Sequence, residues 1–158
     1  MASTKVTYAN SASVTITLNN LAASTVGVGR QSTAVDNSSN LYLDALITVT
    51  LVIGAGTPDN DFGATILGFA SEDGTNYSVP ATGSDGAIDI STINNSVWIG
   101  YIPMETASTT YKAVFPIASA FGGILPRKWV IAVINNCNIN LAASGNSITY
   151  SGVYATTA

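Results

Sequence analysis

The chain has no histidine, a single cysteine and only five basic residues among its 158. Without histidine there is no Ser-His-Asp relay, no Cys-His pair and no histidine-ligated zinc. Cys137, in "NNCNI", has no internal disulfide partner and no nearby cation to hold a thiolate, so it reads as a small, half-buried, inert thiol. Lys5, Arg30, Lys112, Arg127 and Lys128 form no basic stripe, and the net charge is −4. Neither nucleic acid nor an anionic membrane is therefore expected as a partner. Long apolar runs are also missing. The longest, residues 41–53, is broken by Asp44, Thr48 and Thr50 and is too polar to span a bilayer as a helix. "MASTKVTYANSASVTITL" lacks a signal-peptide core, so signal-directed secretion is not expected.

Charge is the largest shortfall. Asp, Glu, Lys and Arg make up 9% of the residues, against about 25% in an ordinary soluble domain. The polar share comes instead from 17 Ser, 19 Thr and 14 Asn. Neutral hydroxyls and amides give up water at lower cost than ions and can re-pair across a contact, which suits assembly. A neutral monomer is the alternative, but so neutral a surface tends to associate.

What is present in abundance is period-two patterning. Every odd position from Leu41 to Ile53 is apolar, as one buried strand face requires. The even positions, Tyr42 to Val52, carry one charge and need cover from a second sheet or a neighbouring subunit. Further strands are predicted near residues 14–18, 64–71, 87–90, 97–104, 111–117, 128–134 and 148–154, with weaker candidates near Tyr77 and Ile139. Pro103 and Pro116 mark their segments as sheet edges or bulges. Turn clusters such as "GAGTPDNDFG", "SEDGTNY" and "FGGILPR" separate the strands. "FPIASAFGG" fits one helical turn stopped by Gly122. The expectation is an all-β antiparallel sandwich, a jelly roll of about eight strands. Residues 1–12 are polar and read as a flexible N-terminal arm, and residues 13–158 as a single sandwich domain.

No catalytic constellation stands out. The nine acids sit mostly in turns, where Asp caps backbone amides, and no pair is marked as a glycosidase dyad. Asp59, Asn60 and Asp61, or Glu72 and Asp73, offer oxygens to calcium but lack EF-hand spacing, so no metal site is assigned. "GAG" at 54–56 opens no helix and has no following lysine, so it cradles no phosphate. The expectation is a non-enzyme without cofactors. Trp98 and Trp129 lie in alternating strands, where core packing is the default, although an exposed aromatic platform would bind carbohydrate. Phe121, Arg127 and Lys128 in "FGGILPRKW" are the candidate interface anchors: a basic pair beside a proline-glycine turn can dock acidic partners. The alternative is an intramolecular pair with Glu72 or Asp73.

Taken together, "GRQSTAVDNSSNLYLDALITVTLVIGAGTPDND" (29–61), "SEDGTNYS" (71–78), "FGGILPRKW" (121–129) and "YSGVY" (150–154) resemble virion structural proteins of tailed bacteriophages. Within that group the chain looks like small jelly-roll capsid decoration, or cement, proteins. That resemblance implies a subunit made in the host cytoplasm and seated on the capsid surface of the virion. It would self-associate as a homotrimer and bridge major capsid proteins by non-covalent contacts. A tail, neck or fibre component is the other role the resemblance allows, and no catalytic residue is transferred by it. A carbohydrate-binding module on the virion surface is a further alternative.

Overall fold

A computed structural model describes residues 3–24, 26–58 and 63–157. They form an antiparallel sandwich of two sheets, with strands β1 (Thr4–Tyr8), β2 (Ala12–Val14), β3 (Val28–Gln31), β4 (Val35–Asp36), β5 (Asp44–Val52), β6 (Gly63–Ser71), β7 (Gly86–Asp89), β8 (Val97–Pro103), β9 (Thr110–Pro116), β10 (Lys128–Asn135) and β11 (Ser147–Thr157). Sheet A runs β1-β11-β5-β9, with β2 also on β11. Sheet B runs β7-β3-β10-β6-β8, with β4 also on β10. Setting aside β1 and β7, the sheets read β2-β11-β5-β9 and β3/β4-β10-β6-β8, and most successive strands cross between sheets. That is the winding of a jelly roll, two interlocked Greek keys. β8 and β9, the two strands ending in proline, are the edges of their sheets, where a missing N–H breaks no ladder.

The odd positions of β5 face inward. Ala45, Ile47, Val49 and Leu51 are buried against Ile66 of β6 and Trp129, Ile131 and Val133 of β10. Cys137 belongs to this core, fully buried, and its burial raises the thiol pKa. Glycines make room where rings cross between strands. A Cβ on Gly100 would enter the Phe115 ring, and one on Gly152 would enter the Tyr42 ring. A second, smaller core lies on the outer face of sheet B. Leu67, Phe69, Val130, Ala132, Ile134 and Ile88 are roofed there by Ala34, Tyr77, Ala81 and Ile90. The buried Gln31 pins this roof, donating to Thr82 Oγ1 (3.0 Å) and accepting from the Thr82 amide (2.9 Å).

Four expectations are corrected. Residues 4–8, assigned to a flexible arm, are β1, paired with β11 from Thr4↔Thr157 to Tyr8↔Val153. Among the described residues the strands number eleven rather than about eight, because β1, β3 and β4 are short or exposed on both faces. The strand predicted over 14–18 ends at Val14, because Thr17 turns its amide and hydroxyl to Asp85. Leu41 and Leu43, predicted to be buried, are exposed, because the strand begins only at Asp44. The turn at 117–123 matches its prediction: Gly123 donates to the Ala118 carbonyl (2.7 Å), and positive φ at Gly122 and Gly123 ends it.

Candidate interaction surfaces

The even face of β5 has no roof. Leu46, Thr48 and Thr50 point away from sheet B and lie beside Thr149 and Ser151 of β11 and Lys112 and Val114 of β9. None of these belongs to either buried cluster. One row crosses the sheet as Val114–Thr48–Thr149, and the next as Lys112–Thr50–Ser147. From Leu46 to Thr50 the result is an open sheet face of hydroxyls and aliphatic groups whose one charge is Lys112, while the outer face of sheet B is covered over β6, β7 and β10 by the chain's own loops. The second sheet is thereby eliminated as the cover for Leu46 to Thr50.

The three predicted anchors part company. Phe121 is half-buried, and its ring lies over Gly68 inside the sandwich. Lys128 is held by Asp36 (3.5 Å) and by the Gly74 carbonyl (3.3 Å), so its acid is neither Glu72 nor Asp73. Arg127 alone reaches outward, and its guanidinium has no hydrogen bond or ion pair among the described residues.

Arg127 lines a cleft of about 410 Å³ together with Asn37, Leu41, Tyr42, Glu72, Ile124 and Leu125. The two rims are unusual. Leu41 is 71% exposed and Ile124 77% exposed. Leu41 also sits at φ +52°, a left-handed conformation that costs a non-glycine residue on the order of 1 kcal/mol. The buried Asn37 enforces it. Its side chain accepts from the Tyr42 amide (2.8 Å) and donates to the Tyr42 carbonyl (3.0 Å), while its own amide donates to the Arg127 carbonyl (2.8 Å). The two walls of the cleft are thus joined through backbone and side chain. Sequence reasoning missed Leu41 and Ile124 as surface residues. The available signals were the "DNSSN" turn cluster before Leu41 and the Gly-Gly pair before Ile124.

A third surface lies on edge strand β8. Residues 98 and 101 would face opposite ways in a regular strand, but a register shift at Ile66/Leu67 sets Leu67 opposite Trp98 and Thr65 opposite Tyr101. Both rings therefore share the outer face of sheet B. Trp98 is 59% exposed, whereas Trp129 is 1% exposed in the core. The default expectation of core packing holds for Trp129 and fails for Trp98. Asn136 donates to Thr65 Oγ1 (2.8 Å) on this same face.

The acids are mostly consumed locally. Asp73 accepts from the amides of Thr75 and Asn76, which hold its carboxyl well below the usual range. Asp85 accepts from Arg30 Nε (2.7 Å), chiefly through which its pKa falls to about 2, and also from Thr17. No group of three or more metal-ligating side chains occurs among the described residues. Asp59, Asn60 and Asp61, named as calcium candidates, lie outside them. Comparison with protein-family models, curated proteins and solved structures returns no match for this chain.

Proposed function

We propose that the chain is a virion structural protein of a tailed bacteriophage, a decoration subunit that binds copies of itself and the major capsid protein without covalent bonds. The observation carrying this reading is the bare outer face of sheet A. It is wide, nearly uncharged and rich in Thr and Ser, and it has no roof of its own, unlike sheet B. A face of that kind gives up its water at small cost and re-pairs its hydroxyls with a neighbour. The sequence resemblance in segments 29–61, 71–78, 121–129 and 150–154 supports the same reading, as does the low charge. The deciding experiment is the copy number and position of the chain in an intact particle by cryo-electron microscopy. Many copies spread over the shell are expected. A handful at one vertex or along the tail would assign a neck, tail or fibre role instead, and absence from particles overturns the proposal.

One observation favours a second reading, a carbohydrate-binding module. Trp98 and Tyr101 share one exposed face beside Thr65 and Asn136, with no charged side chain in those cross-strand pairs. Aromatic faces flanked by neutral hydrogen-bonding groups suit a pyranose ring. Glycan-array binding that is lost in Trp98→Ala would support this reading, and a blank array would remove it.

A further inference from the structure

We infer that the Arg127 cleft is a docking site for a segment of a different protein, one presenting an aliphatic side chain next to a carboxylate. This deepens the proposed decoration role by naming what the subunit would grip, and it rests on that reading only for the identity of the partner.

The geometry of the cleft selects the ligand. Leu41 and Ile124 are among the most exposed large apolar side chains in the described structure, and both stand on the rims of one concavity. Leu41 is held outward in a left-handed conformation by the Asn37 clamp, although that exposed side chain adds little to the core. An outlier that the surroundings enforce and the core does not need points to a use on the surface. Between the rims, Leu125 and Tyr42 give an apolar floor, and Arg127 gives an unpaired guanidinium suited to a carboxylate. Glu72 lines the same cleft and repels a doubly charged phosphate more strongly than a singly charged carboxylate, which Arg127 can offset. The aliphatic rims disfavour a sugar. What fits is a polypeptide.

A second copy of this chain is a poor match. Among the described residues, Asp36 pairs with Lys128 and Asp85 with Arg30. Asp44, Asp73 and Asp89 accept from nearby amides. Glu72 belongs to the cleft itself. Glu105 is exposed, but its neighbour Met104 is buried. No described segment therefore offers an uncommitted acid beside an exposed aliphatic residue.

The test pans a display library of random dodecapeptides on the full chain and measures the enriched peptides by fluorescence anisotropy. The enriched sequences are expected to pair Asp or Glu with a neighbouring Leu, Ile, Val or Met. Affinity is expected to fall at least tenfold in Arg127→Gln and in Leu41→Gly, with no loss of thermal stability in either variant. A purely structural role for Leu41 predicts the reverse for Leu41→Gly: lower stability and unchanged binding. Enrichment without the acid-aliphatic pair, no enrichment, or binding indifferent to both variants overturns the inference. So does a drop in oligomeric state in Arg127→Gln by sedimentation velocity, which would put a second copy in the cleft. Particle copy number tests the decoration role separately, so either idea can fail alone.

Discussion

The two tryptophans show how much one side chain's surroundings decide. Trp129 is enclosed and meets Tyr150 edge-on at 5.3 Å. Trp129→Ala is expected to destabilise the fold by about 3–5 kcal/mol, and Trp98→Ala by less than about 0.5 kcal/mol, both read by urea denaturation. At Gly152 the limit is space. Gly152→Ala forces a methyl group into the Tyr42 ring, at a cost of about 1–3 kcal/mol. Combining it with Tyr42→Ala should give strong positive coupling in a double-mutant cycle, and additive effects would contradict the packing. Asp85 sets a pH dependence. Its pKa lies at about 2 when folded, against an ordinary 3.8, so the folded state binds this proton less readily than the unfolded chain. The stabilisation is complete above about pH 4 and is lost as pH falls towards 2. Its side chain is only 19% exposed and that of Arg30 29% exposed, which leaves on the order of 1–2 kcal/mol after solvent screening. Acid titration of stability in Asp85→Asn should lack this component, and an unchanged slope would remove Asp85 from the account.

At the scale of elements, legibility followed burial. β5, β6, β8, β9 and β10 are legible because each lays a face on the core, and the proline ends of β8 and β9 mark them as edges. β1 could not, because "TKVTY" is exposed on both faces and so carries no alternation to detect. β3 was hidden by Gly29, which is glycine because Val133 O and Ile134 crowd the site of its Cβ. The shared face of Trp98 and Tyr101 is illegible for another reason: a bulge is a relation between two strands, which the residues of β8 alone do not encode. The cleft was partly legible. "FGGILPR" reads as a turn between strands and is one, but the second wall at residues 37–42 comes from a remote segment joined through Asn37. β1 also supports a prediction. It pairs with β11 beyond the reach of β5, and a two-stranded ribbon is marginal by itself. Deleting residues 1–9 should change stability by less than about 1 kcal/mol while speeding hydrogen exchange of the amides at 153–157. A large loss of global stability would mean the ribbon supports the core.

For the whole molecule, the contrast between the two outer faces carries the argument. Sheet B is covered over β6, β7 and β10 by the chain's own loops and bare only at its edge strand β8, whereas sheet A is open across β5. The purified chain is expected to form an oligomer whose melting temperature falls on dilution. Thr48→Lys combined with Thr149→Lys sets two like charges in directly opposed positions on that face. This variant should sediment as a smaller species with its strand content retained by circular dichroism. A wild-type chain that stays monomeric at all concentrations would contradict self-association through sheet A.

β11 lies between β5 on one side and β1 and β2 on the other, which has a consequence for biosynthesis. β11 leaves the ribosome after every strand it pairs with, yet it lies at the centre of its sheet. Until it arrives, β1 and β2 have nothing to pair with and the flank of β5 is an uncapped edge, able to recruit any passing strand. Nascent chains stalled near residue 146 should therefore be protease-sensitive and prone to aggregate, whereas emergence of β11 lets sheet A close in one late step.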